Sequence, residues 1–224
     1  MKVYFAIFVF LFSVSASAAV SPKSSIPKKH ANEEYWQVVL KRAEKIVVTL
    51  DLNDQKKSEK VTKIIAQQYY SLSEIHDTCS VRIKKIGESG KDQDDKKKYI
   101  ASLNEEADKK IGRLHKQFLS KLGKELGPDQ INKVKDGMTY NVLEHTYDGY
   151  LDMLPDLTDT QKTYILDALT EAREKAMDAS SSKKKHAWFG KYKGRINNYL
   201  SSEGYDLKKA GDAWQKRLDA REKN

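Results

Sequence analysis

Residues 61–86 read VTKIIAQQYYSLSEIHDTCSVRIKKI. Val61, Ile64, Ile65, Tyr69, Leu72, Ile75, Cys79, Ile83 and Ile86 recur three or four positions apart. That is the repeat of one face of an α-helix and not of a strand. Asn53 can cap its start and Gly87 can end it. The spacing predicts a helix of about 34 residues, roughly 50 Å long at 1.5 Å per residue. A polar turn follows at 87–95 (GESGKDQDD), and then a second stripe of Tyr99, Leu103, Ala107, Ile111, Leu114, Phe118 and Leu122 ends near Gly123. Two long amphipathic helices joined by a short polar turn make an antiparallel hairpin.

The same periodicity extends outward from the hairpin. Trp36, Val39, Leu40, Ala43, Val47 and Leu50 give a first helix over about 33–50. After the hairpin, helices are predicted at Pro128–Lys135, Thr139–Leu154, from Thr158 to about Ala179, at His186–Leu200 and at Asp206–Glu222. No alternating stretch of strand length interrupts them. The fold class is all-α: one helical bundle over 33–224, with a long N-terminal hairpin and shorter C-terminal helices.

Composition narrows the class without naming a reaction. The chain has 224 residues, a formal charge of +9, 39% hydrophobic and 33% charged residues, 4 Pro, 11 Gly and 1 Cys. These values exclude a collagen-like chain, a disulfide scaffold and a polytopic membrane protein. Lys2, the apolar run Tyr4–Val14 and the small residues Ala16-Ser17-Ala18 read as a secretory signal peptide over 1–18. The run is too short to span a bilayer, and no cysteine follows it for lipid attachment. A periplasmic or secreted protein is expected. Residues 19–32 (AVSPKSSIPKKHAN) are aperiodic and read as a flexible leader. Cys79 has no partner for a disulfide and is expected as a small buried hydrophobe.

Helix starts are marked locally. Leu157-Thr158-Asp159-Thr160-Gln161 has the Thr and Gln of a capping box, and Leu126-Gly127-Pro128-Asp129-Gln130 repeats the frame with glycine and proline.

Charge is unevenly distributed. Residues 183–224 hold twelve Lys/Arg against five Asp/Glu. Nucleic acid is the usual partner of such a basic segment. An exported chain points instead to an acidic glycan or an acidic protein client, with no nucleic acid and no membrane span after signal removal. Within HAWFGKYKGRINNYL (186–200), Trp188, Lys191, Arg195 and Asn198 share a face, with Tyr192 beside them. An aromatic ring, cations and an amide together can clamp a sugar that carries a carboxylate. Phe189, Tyr192, Ile196 and Tyr199 form the expected core face, and the pair Gly190 and Gly194 suggests close approach of another backbone.

A second candidate is TYNVLEHTYDGYLDML (139–154). Tyr140, Leu143, Tyr147, Leu151 and Leu154 form its apolar stripe; Asn141, His145, Asp148 and Asp152 share the opposite face. A histidine beside carboxylates can do acid/base work. His76, near Cys79 in the periodicity, reads as a hydrogen-bonded core histidine. No metal-ligand spacing is present, and neither a metal nor a cofactor is expected.

Several of these stretches together resemble a known family. They are Asp136-Gly137-Met138-Thr139-Tyr140, Tyr147 through Leu157, Glu171 through Asp178, and above all Lys185-His186-Ala187-Trp188-Phe189-Gly190-Lys191-Tyr192-Lys193-Gly194-Arg195 through Leu200. They are similar to the exported domain-of-unknown-function family numbered thirty-eight twenty-six, over about residues 33–220. The resemblance implies export, a helical fold and a setting in Gram-negative bacteria that degrade polysaccharides. It brings no catalytic residue with it. Leu157, Thr158 and Gln161 also resemble the Leu-Thr-x-x-Gln motif of periplasmic stress chaperones, which implies a cradle for protein clients.

The expectation is a non-enzymatic binding or accessory protein whose ligand face is Trp188, Lys191, Tyr192, Arg195 and Asn198. The alternatives are a glycan-active hydrolase or lyase using His145, Asp148, Asp152 or His186, and a chaperone. An enzyme would bring the 141–152 polar face and the 186–198 face into one concave pocket.

Overall fold

The computed structural model describes residues 28–222, with side chains from Glu33 to Arg221. The stretch read as a signal peptide and the leader up to residue 27 lie outside the described residues. Eight helices follow one another: α1 (Lys28–Val48), α2 (Gln55–Gly87), α3 (Gln93–Leu122), α4 (Pro128–Met138), α5 (Val142–Met153), α6 (Asp159–Ala176), α7 (Ser182–Ser202) and α8 (Leu207–Glu222). The described residues contain no strand, and no helix among them is long and apolar enough to cross a membrane. The protein is an all-α helical bundle. α1 starts at Lys28, inside the stretch read as a leader.

Caps set the frame. Asp54, one residue later than the expected Asn53, caps α2 by accepting from the Lys57 N–H at 3.2 Å. Asp92 caps α3 by accepting from the Asp94 and Asp95 N–H groups. The capping box at α6 is complete: the Gln161 N–H donates to Thr158 Oγ1 at 3.3 Å, and the Thr158 N–H donates to Gln161 Oε1 at 3.0 Å. At α4, glycine supplies no side-chain oxygen, so only the return bond forms, from the Gly127 N–H to Gln130 Oε1.

The apolar residues fill two adjoining cores. One joins α1, α2, α3 and α4 through Val39, Ala43, Val61, Ile65, Phe118, Leu122, Val134 and Met138. The other joins α5, α6 and α7 through Tyr150, Ile165, Leu169, Ala172, Phe189, Ile196 and Leu200, with α8 packed on its edge. The larger aliphatic and phenylalanine side chains among them contribute about 1.5–3 kcal/mol each when buried. With Cys79 the lone thiol, packing supplies the stability that disulfides give other small domains. Met177, just past the end of α6, belongs to the first core, so the α6–α7 connection is the seam between the two.

Three expectations change. The hairpin outruns the cores: the buried residues of α2 stop at Leu72 and those of α3 begin at Ala107. Tyr99 is therefore 48% exposed, with Lys91 Nζ 4.7 Å from its ring centre, and Cys79 is only partly buried. The helix expected over 139–154 begins at Val142 instead. Thr139 ends α4 with its hydroxyl donating to the Lys135 carbonyl, and both Tyr140 (φ 60°) and Asn141 (φ 54°) are left-handed. Tyr140 consequently leaves the apolar stripe and is exposed.

Gly190 and Gly194 face open space, with nothing near the position a methyl group would take, because α7 buries its Lys185–Phe189–Ile196–Leu200 side instead. The close approach is at Gly137, where a Cβ would sit 2.9 Å from Ile46 Cγ1 across the α1–α4 contact.

Candidate functional site

Two clefts flank the α6–α7 connection, and both are bordered by His76, Ala179 and Ser180. The first, about 900 Å³, lies between α1, α2, the α4–α5 turn and the start of α7. Tyr69, Asp136, Tyr140, Asn141 and Lys185 line it. The second, about 820 Å³, lies between α3, α6 and α7, and includes His115, Glu174, Asp178, Lys184, Trp188 and Lys191.

Glu174, in the last turn of α6, and Asp178, in the turn just past its end, both face His115 of α3 across the second cleft. His115 Nδ1 lies 2.7 Å from Asp178 Oδ2, and its Nε2 lies 3.5 Å from Glu174 Oε2. Lys135 Nζ donates to Glu174 Oε1 at 2.8 Å, and Gln68 Nε2 lies 3.5 Å from Asp178 Oδ1. The hydrogen bond to Asp178 raises the His115 pKa above its ordinary value; burial opposes this, and the charge of Asp178 adds to it. His76 also reaches this corner, its Nε2 2.9 Å from the Asp178 carbonyl oxygen; it is hydrogen-bonded as expected, but half-buried on the border of both clefts and not in the core. Beneath them Arg173, 6% exposed, donates to Asp136 Oδ1 at 2.7 Å and to Asn132 Oδ1 at 2.9 Å, joining α6 to α4.

Four of the five expected ligand residues form a line along α6 and α7, their rings half-buried against the second core. Lys191 Nζ stands 5.3 Å from the Trp188 ring centre. The Trp188 and Tyr192 rings are 6.5 Å apart, and the Arg195 guanidinium lies 4.7 Å over Tyr192 and 5.9 Å over Tyr164. Tyr164 then stacks on Tyr199 at 3.9 Å. Arg195 is fixed by Glu171 Oε2 at 2.9 Å, and its guanidinium holds the Glu171 carboxyl below the usual carboxylate range. No carboxylate among the described residues lies within ion-pair distance of Lys191. Trp188 and Lys191 belong to both the line and the second cleft, which makes the two surfaces continuous. Asn198 is exposed and makes no ring contact in this line.

The acid/base candidates do not come together. His145 and Asp148 are exposed and border neither cleft. Asp152 docks α8: it accepts from Trp214 Nε1 at 2.8 Å and from both Arg221 nitrogens at 3.0 Å. Those donors hold its carboxyl below the usual range. His186 Nδ1 donates to the Ser182 carbonyl, 3.0 Å away, and the ring leans on the exposed Tyr140 ring at 5.7 Å. Asn141 borders the first cleft, away from Trp188 and Lys191.

Sequence reasoning missed His115, Glu174, Asp178 and the buried Lys185. A signal existed: the stretches 136–140, 171–178 and 185–200, taken together, carry most of the chemistry around both clefts. Among the described residues, no group of three His, Cys, Asp or Glu side chains is arranged to hold a metal ion.

No curated protein matches the chain. A family model with the description "Protein of unknown function (DUF3826)" matches residues 36–220, which includes every element that forms the two clefts and the aromatic line, and the chain belongs to that family.

Proposed function

We propose that the protein is an exported accessory protein that binds an acidic polysaccharide along the α6–α7 surface and feeds the chain's end toward the cleft at His115. The observation that carries this reading is the unbroken line Lys191–Trp188–Tyr192–Arg195–Tyr164–Tyr199. Ring faces offer apolar platforms for the C–H faces of sugars, and the interleaved cations meet uronate or sulfate groups. From residue 188 to 199 a helix rises roughly 16 Å, so the line offers room for several consecutive sugars. Lys184 and Lys191 also line the cleft. The signal-peptide reading and the polysaccharide setting implied by the family resemblance support the same partner class.

Titration calorimetry with an oligogalacturonate and a neutral cello-oligosaccharide tests this reading. The acidic chain should bind, weaken as salt is added, and bind about tenfold more weakly to Trp188→Ala, the scale of one lost aromatic contact. Equal binding of both glycans, or affinity unchanged in Trp188→Ala and Lys191→Ala, rejects the surface. Shortened glycan products would replace it with the enzymatic reading.

A further inference from the structure

We propose that the first cleft is a covalent capture site, in which the Lys185 amine forms an imine with a small hydroxyaldehyde or the open-chain form of a reducing sugar. The site is distinct from the α6–α7 line, and the inference stands without the polysaccharide reading.

Lys185 is 6% exposed, yet it borders a cleft of about 900 Å³. Its Nζ donates to the Met138 carbonyl at 2.8 Å and to the Met177 carbonyl at 3.2 Å. No carboxylate among the described residues lies within ion-pair distance of it. An exposed lysine is a solvated ammonium; this one is largely buried and meets two carbonyls and no directly paired carboxylate. Burial therefore pulls its pKa down to about 8, with the charge of Asp178 opposing and that of Arg42 assisting.

The two carbonyl bonds accommodate the neutral amine, while the Tyr69 ring 5.6 Å from Nζ is a cation–π partner for the charged one. A tetrahedral nitrogen has four positions: one holds Cε, and two hold the N–H bonds to the carbonyls. In the neutral amine the fourth is a lone pair, and both carbonyl bonds survive loss of the proton. A buried lysine that is partly neutral near physiological pH is the form that attacks carbonyl carbon.

The walls around Lys185 are polar, which suits a hydroxylated carbonyl compound. Tyr69 stands with its ring 5.6 Å from Lys185 Nζ, and Tyr140, Asn141 and Ser181 present hydroxyl and amide groups. Tyr140 is held at φ 60°, a left-handed conformation that is strained for a residue with a side chain. Such strain concentrates at ligand sites.

The step balances without a redox partner. The lone pair forms a C–N bond, the carbonyl oxygen departs as water with both amine hydrogens, and C=N remains. Protonated from solvent, the iminium keeps one N–H, enough for one of the two carbonyl bonds.

The test is reductive trapping of the full chain with glyceraldehyde and cyanoborohydride, mapped by peptide mass. At pH 7.5 Lys185 should be modified at least about tenfold faster than its exposed neighbours Lys183 and Lys184, since the neutral fraction favours it more than that. The rate should rise with a midpoint near pH 8, and Lys185→Arg should lose the fast adduct. Should that variant misfold, the wild-type map decides alone. Modification of Lys183 and Lys184 with Lys185 untouched, or reaction at Lys185 only after unfolding in guanidinium, overturns the proposal.

Discussion

Lys185 Nζ lies 2.8 Å from the carbonyl oxygen of Met138, so the first turn of α7 closes the last turn of α4. The same amine bonds the carbonyl of Met177, just past the end of α6. One side chain satisfies the ends of two helices whose last carbonyls have no partner within the helix.

Burial of that amine gives stability a pH dependence of known sign. In the unfolded chain lysine keeps its proton to about pH 10.4; in the folded chain Lys185 loses it near pH 8. Between those values the unfolded state binds more protons, so stability rises with pH. Across pH 7.5–9.5 the gain amounts to about 2 kcal/mol at 1.36 kcal/mol per pH unit. Guanidinium unfolding at pH 7.5, 8.5 and 9.5 should show it in the wild type and not in Lys185→Met. Above pH 10 the buried Tyr69 and Tyr150 reverse the trend, because burial raises both of their pKa values.

His115 carries the opposite sign. Its pKa is raised in the folded state, chiefly by its hydrogen bond to Asp178, so its contribution is complete below the unfolded value near 6.5 and fades as pH rises through the folded one. An NMR titration should place the His115 midpoint above 6.5, and Asp178→Asn should lower it. A midpoint at or below 6.5 would show that the 2.7 Å contact does not hold a charged imidazole.

Glycine substitutions separate two kinds of glycine. Gly190→Ala and Gly194→Ala add a methyl group to open space on a helix, and each should stabilise the protein by about 1 kcal/mol. Gly137→Ala drives a methyl group into the branched part of Ile46 and should destabilise by about 1–3 kcal/mol. Thermal melts of the three variants suffice, and equal signs would refute the packing described for α1 and α4.

Arg173→Met should cost about 3 kcal/mol, since it strands Asp136 and Asn132 beside a nearly buried position. Adding Asp136→Leu should recover part of that loss. Urea unfolding of the single and double variants measures the coupling between α4 and α6.

Helix count and order were legible because each amphipathic stripe repeats over several turns. The capping box at Thr158 and Gln161 was legible because its residues are local. Side chains that meet across the chain were not. His115 and Asp178 are 63 positions apart, and neither stands out in its own helix. Lys185 looked like one member of a basic run, yet its position on the buried side of α7 separates it from Lys183 and Lys184. Gly190 and Gly194 looked like a packing signature; Gly137, a single glycine in an ordinary stretch, is where two helices touch. Tyr140 fits a helical stripe by spacing, and only the left-handed turn after Thr139 removes it. The Trp188-to-Arg195 line was visible within α7, but its continuation through Tyr164 needed α6 alongside.

The unsupported end of the α2–α3 hairpin has a dynamic consequence. From Thr78 to Leu103, past the contact of His76 with the Asp178 carbonyl, two helices hold each other with no further buried layer above them, so separating them exposes little beyond their own shared seam. Backbone amides there should exchange with deuterium through brief local opening, far sooner than those near Ile65 or Leu122. The molecule thus joins a slow-exchanging body to a fast-breathing arm, and a protease should nick the arm first.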